Sequence, residues 1–225
     1  MKLPSLLRSM GRYLLAAALG LGATQPFTVH GQFAGTFVHP GGLHALADYQ
    51  RMSNKVAQAA SPWIDSYHQL MGIAEAQTNW GWAPAGQIFR CGSGCNNNFA
   101  RSQKDALAIY YNALRYWITG DANFANHAIQ GMDAWSSTMT NGVGGDSNWA
   151  LGAGTCGYEF AVAGEALRGY SGWSQASINN YKNFLILFEQ GNHSFLTGHN
   201  GTCDSHYWCN WDACTLASMI SIGVL

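Results

Sequence analysis

The chain has 225 residues, the length of one large domain or two small ones, and 48% of them are apolar, ample for a core. Only 10% are charged, against roughly 25% in an average soluble domain, so Asn, Gln, Ser, Thr, Gly and aromatic residues must cover the surface. The formal net charge is −1 and no basic run occurs, which argues against nucleic acid and suits neutral or sugar-like ligands.

In chain order, Lys2, Arg8 and Arg12 lead into an apolar stretch over residues 14–23, far short of the ~20 apolar residues of a membrane span. Residues 1–31 are therefore expected to be a secretory signal, cleaved after 23 or after 31. Residues 32–225 would then be a secreted domain with no membrane anchor, acidic once the signal's basic residues are gone. All six cysteines follow the signal, at 91, 95, 156, 203, 209 and 214, so a largely oxidised set is expected, with Cys91 and Cys95 closing a small loop. Asn192-His193-Ser194 and Asn200-Gly201-Thr202 read as glycosylation sequons.

Leu46, Tyr49, Met52, Val56 and Ala59 then recur at helical spacing. Ser61 reads as the N-cap of a second helix, with Pro62 at its first position. Residues 77–101 read as loop. Ser102 is expected to cap the next helix, striped by Leu107, Tyr110, Tyr111, Leu114 and Trp117 and stopped at Gly120. Phe124, Ala128, Met132 and Trp135 mark a further one. A glycine-rich loop over 142–147 precedes a helix to about Arg168, Tyr181 to Phe188 stripe another, and the last begins near Tyr207. No alternation of period two rivals these stripes. The fold class is all-α: antiparallel helix hairpins joined by Gly/Asp turns, as in part of an (α/α) toroid. The final residues, TLASMISIGVL, show no cap and no polar tail, so the chain is expected to stop inside its domain.

The phrases FVHPGGLHALADYQRM, ALRYWITGDANFANHAIQGMDAWSSTM, YEFAVAGEALRGYSGW and HYWCNWDACTLASM together resemble secreted members of the alginate lyase family over nearly all of the chain after the signal. That resemblance implies a helical toroid, of which residues 32–225 are the N-terminal portion, and cleavage of a uronic-acid polymer, alginate or polyglucuronate-like, by β-elimination. The family pattern Asn-Asn-His-x-Tyr-Trp is met only in part. Tyr207-Trp208 match, Ser205 stands where the pattern has His, His206 follows it, and His199-Asn200 lie upstream. The family's further Arg and Tyr would fall beyond Leu225, so the 225 residues alone are expected to be inactive.

Elimination across C4–C5 needs the uronate carboxylate neutralised, the C5 proton removed and the O4 oxygen protonated. The stretch 199–211 holds Asn, His, Tyr and Trp for these tasks but no Arg. His199, Asn200, His206 and Tyr207 are the catalytic candidates, either histidine serving in proton transfer. Trp208, Asn210, Trp211 and Trp149 are the substrate-binding candidates. The expected partner is an anionic polysaccharide met by a monomer, with no cofactor. The spacing Cys203-x2-His206-x2-Cys209-x4-Cys214 has a zinc reading, but disulfides take precedence in a secreted chain, and no metal is expected.

His44, His68 and His127 sit on helical stripes and read as structural; Trp117 and Trp135 read as core, while Trp80 and Trp82 in loops serve either stacking or packing. Two other readings stand beside the lyase. One is a catalytically silent carbohydrate-binding relative. The other is a glycoside hydrolase on a helical toroid, drawing on Glu159, Glu165, Asp204 and Asp212.

Overall fold

The computed structural model describes residues 37–203 and 209–225. The expected signal segment and the positions Asp204 to Trp208 lie outside these residues. Among the described residues no helix is long and apolar enough to cross a membrane.

The expected helices form, with ends moved by local chemistry. Leu46–Ala57 (α1) starts where Asp48 accepts the Ala45 N–H at 3.0 Å, and it buries Tyr49. Trp63–Met71 (α2) starts one residue after Pro62 rather than on it, and the Ser61 hydroxyl donates to Asp65 at 2.6 Å. Ile88–Arg90 (β1) and Val143–Gly145 (β2) pair in parallel, Ile88 opposite Val143, where only loops were expected. Three residues are too short to show a period of two.

Phe99–Thr119 (α3) begins before Ser102, which corrects that expected cap. Asn98 precedes the helix and ties it to β1: its Oδ1 accepts the Phe89 N–H at 2.7 Å and its Nδ2 donates to the Gln87 carbonyl at 3.0 Å. Ser102, buried, turns its hydroxyl back onto the Phe99 carbonyl. Gly120, at φ 75°, ends the helix in the left-handed region that glycine enters without strain. Asp121 then caps Ala122–Thr138 (α4), accepting from the Asn123 N–H at 2.9 Å. Trp149–Ala166 (α5), Gln175–Gly198 (α6) and Asn210–Val224 (α7) follow. Cys209, at φ 82°, is not helical, so the last helix starts at Asn210 and not near Tyr207.

The helices pack in two rows. In one, α1 lies beside α3, α3 beside α5 and α5 beside α7; in the other, α4 and α6 pack on each other and back against the first. Between the rows runs a ladder of rings: Trp135 on Phe160 at 5.2 Å, Phe160 on Phe184 at 5.1 Å and Tyr181 on Phe184 at 5.4 Å. Trp135 is therefore core, as expected, and Trp117 stacks on Tyr49 at 5.0 Å. Trp82 lies 4.7 Å from the His127 ring and presses on Gly131, so packing is its role. The α5–α7 seam is close: a Cβ on Gly154 would fall 2.9 Å from the Thr215 amide nitrogen. Glycine fits there because it has no side chain.

One expectation about modification is corrected. Asn192 is fully buried in α6 and donates to Ser218 at 2.7 Å, so the first sequon is closed to a glycan. Cys91 and Cys95 are disulfide-bonded as expected, and Cys156, Cys209 and Cys214 form no disulfide among the described residues. Cys156 lies at the core, where burial raises its thiol pKa.

Candidate functional site

The end of α6, the start of α7 and the turn before α5 meet at one rim. His199 closes α6 in the left-handed region at φ 42°, and Asn200 follows at φ 53°. Non-glycine residues enter that region at a cost, and such positions gather at functional sites. The turn aims both side chains. His199 Nε2 lies 3.2 Å from Asp212 Oδ1 in the first turn of α7. The His199 ring meets Phe195 edge-on at 5.3 Å, and Trp211 packs against the same Phe195 at 6.0 Å.

Asn200 reaches across to the turn before α5, its Nδ2 donating to the Ser147 carbonyl at 3.4 Å. The next carbonyl, of Asn148, accepts from the Arg90 guanidinium at 3.3 Å. Asp146 holds this turn closed by accepting the Asn148 N–H at 2.9 Å and the Gly92 N–H at 2.8 Å. Those backbone hydrogen bonds lower its pKa, that from Gly92 most. Trp149 opens α5 half-buried beside Gly191, and Asn210 opens α7 exposed.

Of the eight residues expected at the site, five are therefore at one rim: His199, Asn200, Asn210, Trp211 and Trp149. His206, Tyr207 and Trp208 lie outside the described residues. Arg90 is the residue the sequence did not offer: it lies over a hundred positions from His199 and reaches the rim only because β1 pairs with β2. Its one local signal is the Cys91 loop that follows it.

A second cluster lies further along α5. Glu159 Oε1 accepts from Gln103 of α3 at 3.0 Å, while Oε2 is buried with no hydrogen-bond partner. Burial pushes this carboxyl up to about 7, and the Gln103 bond opposes that only in part. Nearby, His44 Nε2 and Tyr110 Oη are 2.6 Å apart, so His44 is a satisfied structural histidine, as expected. Burial lowers the His44 pKa and raises that of Tyr110. Glu165, another of the hydrolase carboxylates, is occupied elsewhere. It accepts the Gly41 N–H at 2.8 Å and meets His39 Nδ1 at the same distance, pinning the entry segment to α5.

Among the described residues no group of three or more His, Cys, Asp or Glu side chains is placed to hold a metal ion. Compared with known proteins, the chain matches no family model, no curated protein and no solved structure.

Proposed function

We propose that this chain belongs to a secreted polysaccharide lyase of the helical-toroid type, cleaving a uronic-acid polymer by β-elimination at the α6–α7 rim. The observation that carries the reading is that Arg90 and Asn200 bond consecutive carbonyls of one turn, with His199 and its Asp212 partner adjoining them. In the reaction, Arg90 and Asn200 neutralise the uronate carboxylate, which makes the C5 proton acidic. His199, steadied by Asp212, takes that proton, and Tyr207 protonates the departing O4. His206 is the alternative base. Trp149, Trp208 and Trp211 support the rings, and Asn210 donates to a sugar hydroxyl.

The test is product chemistry. The protein expressed from its full reading frame is incubated with alginate and with polyglucuronate, and ultraviolet absorbance and reducing ends are followed together. Elimination yields both signals in step, because each cut creates one conjugated double bond. Reducing ends without absorbance would mean hydrolysis, and polymer binding with neither signal would mean a silent carbohydrate-binding protein.

A further inference from the structure

Asn123, Asn126, Gln130, Asp133 and Ser137 recur at intervals of three and four along α4, so they share one exposed face of the helix. That face is concave. At its start lies a cavity of about 420 Å³, which Asn123, Asn126 and Gln130 line together with Thr78. Further along lies one of about 500 Å³, which Gln130, Asp133 and Ser137 line together with Ser177 and Asn180 of α6. Gln130 belongs to both, so the two form one trough. From Asn123 to Ser137 it follows fourteen residues of helix, roughly 21 Å.

We propose that this trough is a binding site for an extended neutral polysaccharide, with Asp133 as its fixed anchor. Asp133 is exposed and yet held in place. The buried Trp173 indole donates to Ser177 Oγ at 2.6 Å, and the Ser177 hydroxyl donates in turn to Asp133 Oδ1. Among the described residues Oδ2 has no hydrogen-bond partner, so it is set to accept from a ligand hydroxyl. The exposed side-chain amides of Asn123, Asn126 and Asn180 make no hydrogen bond among the described residues either. Each amide offers an acceptor and two donors, and a sugar hydroxyl, itself donor and acceptor, answers both.

The lining also says what does not fit. It holds Asp121 and Asp133 but no lysine or arginine, and burial lowers the pKa of its one histidine, His127, so an anionic polymer is repelled. Phe124 and Ala134 are its only apolar residues. The Arg115 guanidinium already lies over the Phe124 ring at 3.9 Å, which leaves no seat for a lipid or an apolar helix. The trough is separate from the rim, because Asn180 is nineteen residues along α6 from His199, roughly 28 Å. It does not depend on the lyase reading, and each can fail alone.

The test titrates the full-length protein by calorimetry with hexasaccharides of β-1,4-glucose, β-1,3-glucose, β-1,4-mannose and β-1,4-xylose, and with an oligouronate of the same length as the anionic probe. Side-chain amide signals are followed by NMR. At least one neutral hexasaccharide should bind and shift the amides of Asn123, Asn126 and Asn180. Its affinity should fall by about tenfold or more in Asn126→Ala and in Asp133→Ala, each of which removes a ligand hydrogen bond. The exposed Asn126→Ala should melt like the wild type. The methyl glycoside of the same sugar should bind at least about tenfold more weakly, because it meets only part of the trough. The oligouronate should leave the three amides unmoved. Four silent hexasaccharides, binding that shifts none of the three amides, or an Asn126→Ala or Asp133→Ala variant that binds like the wild type would each overturn the proposal. So would a methyl glycoside that binds as tightly, or an oligouronate that shifts the same amides.

Discussion

At Glu159, burial and a single amide donor leave the carboxyl with a pKa of about 7, against an ordinary value of 4.5. Between those values the folded chain binds more protons at this site than the unfolded chain does. Stability therefore falls as the pH rises from about 4.5 through 7, and it stays low above that range. Glu159→Gln removes the titration but keeps a carbonyl for Gln103 to bond. Urea unfolding of the two proteins should show the variant gaining on the wild type by roughly 3 kcal/mol more at pH 8 than at pH 4.5. An equal difference at both pH values would mean that the carboxyl titrates as an ordinary one. The sequence offered Glu159 only as one of four hydrolase carboxylates, because its perturbation comes from burial against α3. His44 was legible as a structural histidine, but it lies in the bend before α1 rather than on the helix, and its partner Tyr110, 66 positions away, had no signal in the sequence.

The helices were the most legible scale, since each apolar stripe runs for several turns and errors at single positions average out. Their starts were less legible where a side chain had a second attraction. Ser102 is one such case, its hydroxyl taken by the Phe99 carbonyl, and the start of α3 falls to Asn98 instead. One residue inside α3 joins elements that the stripes do not relate. Asp105 is fully buried and accepts from the Trp80 indole at 2.9 Å, the Ala83 N–H at 2.9 Å and the Trp135 indole at 3.0 Å. Arg101 lies 3.2 Å from the same carboxylate. This one side chain fixes the 80–83 loop and α4 onto α3. Asp105→Ala would leave these donors and the Arg101 charge without it, so it should cost about 3–5 kcal/mol in urea unfolding. A loss below about 1 kcal/mol would show that water or neighbouring carbonyls replace the carboxylate.

Over the whole molecule, the rim is drawn from three distant stretches: β1, the turn before α5, and the α6–α7 connection. Only the last was visible as a dense run of chemistry, because its residues are adjacent in the chain. Arg90 joins it through a parallel strand pair too short to leave a pattern, and Asp212 through the first turn of α7. Elimination at this rim, as proposed, separates cleanly from a structural role there. A general base contributes about 100- to 10,000-fold in rate, while a helix-end contact contributes only about 1 kcal/mol of stability. The most direct measurement is the rate of unsaturated product formation from a uronate polymer by the full-reading-frame protein and its His199→Ala variant, with melting temperatures recorded alongside. The variant's rate should be at least 100-fold lower with melting nearly unchanged. Equal turnover in the two proteins, or a collapse in melting without a selective kinetic loss, would contradict it.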